Sequence, residues 1–391
     1  MVILFAIIAV YIAWIWVDYY RLIDIYDRDD LGHFILSFFL GGLSVLLVFG
    51  INKYLLDHFY FELNGEWLND FLYTSFKIGA VEELSKLAAY GILFSMIRKS
   101  IDEPVDVLAF IATSALGFSA VENVLYFTTY GPSIIDGRAI LSTVGHMFFT
   151  ALIGYGILLN KYKYHGKRPW LVFGFFLLAS LSHGTYNFVL MHEPLQNAGF
   201  ALLLVFFFLG VEVFATMLNN ALNNSSFFTY KKVINPNKVA TRLLLYYMVL
   251  MVLQSMLLLI DQSFVDALLS FYGVLLSTGA IIFITCLRMS RFKLIKNRWN
   301  PLRLEFPFSI SASTKTTTTF PMFFGLRITV NGESYDETLL NQYYHEYFIL
   351  KPQSSRKSVL KRPKKAYIAD KLFLYQDKNL LPDACLHDAR E

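Results

Sequence analysis

The chain has 391 residues, of which 55% are hydrophobic and 16% charged, with a mean hydropathy of +0.47 and a formal net charge of +4. Soluble domains carry about 25% charged residues, so these figures exclude an ordinary soluble chain and point to a membrane protein. No nucleic-acid partner is expected; the partner surface is the lipid bilayer. Cys286 and Cys385 lie too far apart for a disulfide framework or a cysteine-based zinc motif.

A hydrocarbon core about 30 Å thick needs about 20 apolar residues in a helix. By that measure nine spans follow in chain order, near 2–20, 34–51, 71–97, 105–130, 139–160, 169–191, 199–220, 243–260 and 265–287. The first has no basic leader and no small-residue cleavage site. It ends in Trp14, Trp16, Tyr19 and Tyr20, so it reads as a retained anchor. Basic residues gather in alternate loops: Arg21 and Arg28; Arg98 and Lys99; Lys161, Lys163, Lys167 and Arg168; then Lys231, Lys232, Lys238 and Arg242. The same side continues with Arg288 to Arg298, whereas the opposite loops hold only Lys53 and Arg138. The positive-inside rule therefore places the N-terminus outside and the C-terminus in the cytoplasm. The fold class expected is an all-α polytopic membrane protein in the inner (plasma) membrane. A transmembrane helical domain over 1–290 precedes a small cytosolic appendage over 291–391. In the appendage, "FPFSISAS", "LRITVNGESY" and "HEYFILKP" are β-type runs, and Asn331-Gly332 suits a hairpin turn. "RKSVLKRPKK" suits contact with anionic lipid, but reads more readily as a solvated or disordered face.

Ionisable residues inside the apolar spans are few: Glu82, Glu83, Lys86, Glu122, His146, His183 and Glu212. Each ionised group at mid-membrane costs about 2.5–3.5 kcal/mol on insertion scales, so each is a functional candidate by default. At 1.5 Å rise per residue the glutamate pair lies about 16 Å deep, Glu122 and His183 about 12 Å, and His146 about 10 Å, all from the outer surface. Four consecutive spans thus deliver acids and histidines to one layer. Lys86 stands i,i+4 from Glu82 and i,i+3 from Glu83, within reach of either. His146 with Thr150, and His183 with Asn187, repeat the i,i+4 relation. Gly117, Gly145, Gly154, Gly156 and Gly184 would allow close helix approach. Glu212 fits no pattern and is expected to serve packing.

Two histidines and a carboxylate suffice for a catalytic zinc with an open position for water. A second carboxylate suits proton transfer, and an asparagine amide suits an oxyanion. Metal-assisted peptide hydrolysis uses the whole inventory. The rival reading is a proton-coupled transporter using the same Glu/His set as a relay, but no internal repeat accompanies it.

"EELSK" (Glu82–Lys86), "FSAVEN" (Phe118–Asn123), "HMFFTALIGYG" (His146–Gly156) and "SHGTYNF" (Ser182–Phe188) resemble, in order, four motifs of the PrsW family of bacterial intramembrane proteases. That family is distantly similar to the CAAX prenyl endopeptidase and Abi group. The resemblance covers about residues 80–190 and implies a peptidase acting on transmembrane proteins, including anti-sigma factors. It implies Glu82 and Glu83 as the catalytic glutamate pair, with Glu82 expected as base and Glu83 and Lys86 setting the local charge. Glu122, His146 and His183 are then the expected zinc ligands, and Asn187 matches the asparagine of the prenyl endopeptidases. Their second motif ends in histidine where this chain has a glutamate, so a metal-free glutamate mechanism stays open beside the zinc one.

Overall fold

The computed structural model describes residues 1–302, apart from 57, 59–60, 230–231 and 262, together with 327–330 and 333–336. Helix α1 (Val2–Ile23) is followed by α2 (Leu31–Ile51). A continuous run then comprises α3 (Trp67–Leu72), a π-helical stretch Tyr73–Ala80 and α4 (Val81–Ile97). After α5 (Pro104–Tyr130) and α6 (Ile135–Gly137), another π-helical stretch, Arg138–Ser142, leads into α7 (Thr143–Leu158). The remaining helices are α8 (Trp170–Met191), α9 (Gln196–Asn223), α10 (Pro236–Asp261) and α11 (Phe264–Met289).

Each expected span falls on one of these runs, with ends displaced by a few residues. Eight of them are long and apolar enough to cross a membrane. The run from Trp67 to Ile97 falls short of that apolarity because Lys77, Glu82, Glu83 and Lys86 interrupt it. Two strands, β1 (Arg327–Val330) and β2 (Glu333–Asp336), pair antiparallel with Val330 opposite Glu333. The other β-type runs, the turn Asn331-Gly332 and the basic run lie outside the described residues.

Local chemistry sets the helix ends. Glu103 and Asp106 form a reciprocal capping box at the start of α5, with Pro104 in the first turn. Gly131, at φ 78° and ψ −172°, takes a positive-φ conformation that glycine alone adopts readily, and the same helix stops there. Helix α5 is the axis of the bundle: every residue from Pro104 to Ala120 is buried, and it packs against α1, α2, α4, α7 and α9. A helix apolar all round must be surrounded.

Two glycine contacts fix how close the helices come. A Cβ on Gly117 of α5 would lie 1.9 Å from the carbonyl oxygen of Phe38 on α2, so the backbones touch there. A Cβ on Gly184 of α8 would lie 2.3 Å from Ser75 in the π-helical stretch Tyr73–Ala80. The second contact draws α8, with His183 beside Gly184, against the segment that leads into Glu82. Small residues at such crossings are the usual means of packing helices in lipid.

Candidate active site

Four helices contribute one polar cluster. Helix α4 supplies Glu82, Glu83 and Lys86 from its first two turns, α5 supplies Glu122, α7 supplies His146 and Thr150, and α8 supplies His183. Two of the four π-helical stretches among the described residues, Tyr73–Ala80 and Arg138–Ser142, stand directly before α4 and α7, the helices that bring the glutamate pair and His146; Asn52–Leu56 and Leu159–Lys163 follow α2 and α7. Such wide turns recur at functional sites.

The hydrogen bonds assign the roles of the ring nitrogens. Lys86 Nζ donates to His146 Nδ1 at 2.9 Å, so that nitrogen carries a lone pair. His146 Nε2–H then donates to Glu122 Oε2 at 2.7 Å. At His183 the order is reversed: Nδ1–H donates to Glu83 Oε1 at 3.0 Å, leaving Nε2 bare in the neutral ring. That bare nitrogen lies 3.7 Å from Glu82 Oε2, and His146 Nδ1 lies 3.9 Å from the same oxygen. The two rings stand perpendicular, 5.0 Å between centroids. Phe149 stacks on His183 at 5.1 Å, and Phe118 packs against His146 at 5.7 Å, which fixes both planes.

The two neighbouring glutamates have separate surroundings. Glu83 is sealed, with 0% side-chain exposure, and accepts from Lys86 (2.8 Å), Thr150 Oγ1 (2.7 Å) and His183. Glu82 keeps 12% exposure; Lys86 donates to its Oε2 at 3.4 Å, and its Oε1 bonds to no described residue. Glu122, 21% exposed, is gripped by Arg138 Nη2 at 2.7 Å, while Arg138 Nε donates to Asn123 Oδ1 at 2.6 Å. Tyr126 lies under that guanidinium at 3.7 Å. Lys86 also sits over the Phe118 ring at 4.3 Å.

Ligand atoms from Glu82, His146 and His183 all lie within 4.8 Å of one another. The expected zinc set of Glu122, His146 and His183 differs from this by one carboxylate. Glu122 turns instead to the far nitrogen of His146 and to Arg138, because it projects from α5 on the side of the α6–α7 connection. The donor set suits a divalent metal once Lys86 is displaced: His183 Nε2, His146 Nδ1 and a Glu82 oxygen converge, the last two now accepting from Lys86, and each ring's other N–H is held by a further carboxylate. That carboxylate–histidine arrangement is the usual support of a metal-binding imidazole. Three carboxyl groups (Glu82, Glu83, Glu122) stand with two basic side chains (Lys86, Arg138), so one acid is left without its own basic partner and is available to an added cation.

Asn187 does not join the cluster. It is half-buried one turn beyond His183, and its amide bonds to no described residue. Glu212 lies elsewhere, paired with Arg288 of α11 at 2.7 Å. Arg138 was not among the residues that the sequence singled out. Its signal was being one of only two basic residues on the outer side, where the charge bias gives no reason for one.

A profile described as "PrsW family intramembrane metalloprotease" matches residues 30–214. The chain is 31% identical over 199 residues to Protease PrsW of Clostridioides difficile (strain 630), covering 49% of this chain and 79% of that protein. It is 30% identical over 155 residues to Protease PrsW of Oceanobacillus iheyensis, covering 39% and 67%. It is 29% identical over 177 residues to Protease PrsW of Bacillus subtilis (strain 168), covering 44% and 76%. No solved structure matches the chain. A multi-pass bundle that buries two histidines among three glutamates, with this likeness to named proteases, belongs to the PrsW family of intramembrane proteases.

Proposed function

We propose that this protease hydrolyses peptide bonds of transmembrane proteins in the outer half of the bilayer, with Glu82, His146 and His183 holding a zinc ion. Transmembrane anti-sigma factors are the substrate class that its family resemblance implies. The observation that carries the reading is the convergence of His146 Nδ1, His183 Nε2 and Glu82 Oε2, both rings being oriented by carboxylates behind them.

A zinc ion bound there supplies Lewis-acid polarisation of water and of the scissile carbonyl. Glu82, the open member of the adjacent pair, uses its free Oε1 to take the proton of the attacking water and return it to the leaving amine. Glu83 and Glu122 each hold one imidazole in the tautomer that the site needs. In this reading Asn187, outside the cluster but one turn from His183, swings its amide in to donate to the developing oxyanion. Because a helical backbone satisfies its own carbonyls, the substrate segment must unwind before one is exposed to attack. Lys86 favours a second reading: its ammonium already touches Glu82, Glu83 and His146, as it would where Glu82 activates water without a metal.

The test is to co-reconstitute the purified protein with a bacterial membrane-protein fraction in liposomes and to map new N-termini by mass spectrometry. The wild type is expected to produce termini within transmembrane segments. Glu82→Gln and His183→Ala should lower their yield by about 10²-fold or more. Metal analysis of the same preparations should find one zinc per wild-type chain and loss of it in His183→Ala. Equal cleavage by all three proteins would sink the proposed site, while cleavage by metal-free wild type would select the second reading.

A further inference from the structure

The family profile ends at residue 214, ahead of α10 and α11. Three side chains of this helical pair nevertheless bond to one short stretch, residues 133–139, between α5 and α7. Gln254 Nε2 donates to Asp136 Oδ1 at 2.9 Å and to the Ser133 carbonyl at 3.4 Å. Thr278 Oγ1 donates to Asp136 Oδ2 at 2.6 Å. Tyr247, whose hydroxyl accepts from Trp16 Nε1 of α1 at 3.0 Å, donates to the Ala139 carbonyl at 3.4 Å. Asp136 is therefore a buried carboxylate with a donor from α10 on one oxygen and a donor from α11 on the other.

Arg138 is two residues from Asp136 and next to Ala139. Its guanidinium holds Glu122 and Asn123, and Glu122 holds His146. The path from the helical pair to the histidine is thus side-chain hydrogen bonds to Asp136 and Ala139, the intervening backbone to Arg138, and hydrogen bonds from Arg138 to Glu122 and from His146 to Glu122. Docking of α10 and α11 by packing alone would need only apolar side chains. A carboxylate is expensive to bury, and Asp136 obtains its compensation from the two helices outside the family profile.

We propose that α10 and α11 form a positioning module of the catalytic site: by gripping Asp136 they fix Arg138, and through Glu122 they fix the ring of His146. The proposal rests on the reading of that cluster as the catalytic centre. Arg138 and Asp136 are positioning residues, since both act on the site through Glu122. A removed support of this kind typically lowers metal affinity or activity by about 10–100-fold.

The test uses full-length, metal-free protein labelled with 15N-histidine in detergent micelles. It reads the exchange-protected ring N–H protons of His146 (to Glu122) and His183 (to Glu83), assigned by His146→Gln and His183→Gln. The double variant Gln254→Leu/Thr278→Val should lose or shift the His146 resonance as Arg138→Gln does, leaving that of His183 in place. Arg242→Gln breaks the bond of α10 to Asp18 of α1 and should leave both resonances unmoved. An unmoved His146 signal in the double variant would overturn the proposal. So would an equal change in Arg242→Gln, which would show general loosening of α10. If the double variant fails to fold, Gln254→Met and Thr278→Val made singly each remove a bond to Asp136 and are read in the same way. Should the His146 signal move as expected while Glu82→Gln cleaves like wild type, the coupling stands and the catalytic reading falls. The reverse pair of results removes the coupling alone.

Discussion

Glu82 and Glu83 are neighbours in the chain, yet about 100° of helical turn separates their side chains, and the difference decides their chemistry. Glu83 spends its oxygens on Lys86, Thr150 and His183, whereas Glu82 keeps one oxygen free. Sequence alone showed that both belonged to one buried layer, because ionisable groups are rare in apolar spans and depth can be counted from the span ends. The division of labour was not legible, since it turns on which face of α4 looks toward α7 and α8. Glu122 shows the same limit: its depth was readable, but its preference for Arg138 and the far side of His146 was not. Thr150 offers the sharpest residue-scale test, because its hydroxyl touches Glu83 alone among the site residues. Thr150→Val should lower zinc affinity by about 10–100-fold, while Thr150→Ser, which keeps the donor, should restore it; isothermal titration of the metal-free protein measures both.

At the scale of elements, the helices were legible from apolar length, but their ends were displaced by a few residues, because capping chemistry such as Glu103 with Pro104 sets them and apolarity does not report it. Apolar length does not report the π-helical stretches, since hydropathy is blind to a change of hydrogen-bond register. Away from the polar cluster, the turn after α1 meets the start of α5 and brings Asp24, Asp29 and Glu103 together. Asp29 N–H donates to Asp24 at 3.1 Å, and the Ser225 hydroxyl donates to Glu103. Burial, with repulsion among the acids, raises Asp24 to about 6, Asp29 to about 7 and Glu103 to about 8, the serine bond opposing the rise at Glu103. In the unfolded chain these carboxyls ionise near pH 4. The folded state thus holds extra protons across the interval between, and its stability falls as pH rises from about 4 through 8. Glu103→Gln removes one of these groups and keeps an acceptor for Ser225. Its melting temperature should match wild type near pH 4, where the carboxyl is protonated in both states, and exceed it increasingly up to pH 8.5, as differential scanning fluorimetry in detergent would show.

For the molecule as a whole, the parts within the family profile and the parts beyond it meet at the site. Counting apolar spans located the helices; the grip of α10 and α11 on residues 133–139 had no signal, because Gln254 and Thr278 look unremarkable in an apolar run. One feature of the bundle fixes the aim of the glutamate pair relative to everything else. Asp70 is pinned to His192 of the segment after α8 at 2.8 Å, Gly184 clasps Ser75, and the chain reaches Glu82 only after the wide turns of Tyr73–Ala80. Losing one residue between those clamps and Glu82 would swing α4 by about 100° and draw it back by about 1.5 Å. Deleting exposed Phe76 should therefore yield a chain that inserts and accumulates as wild type does, seen by immunoblotting of membranes, but cleaves nothing. Returning one alanine after Ile78 should revive it. A relative that kept every motif letter but had a different count between its aspartate and its glutamates would be a silent copy, an enzyme undone by spelling that no search for motifs would notice.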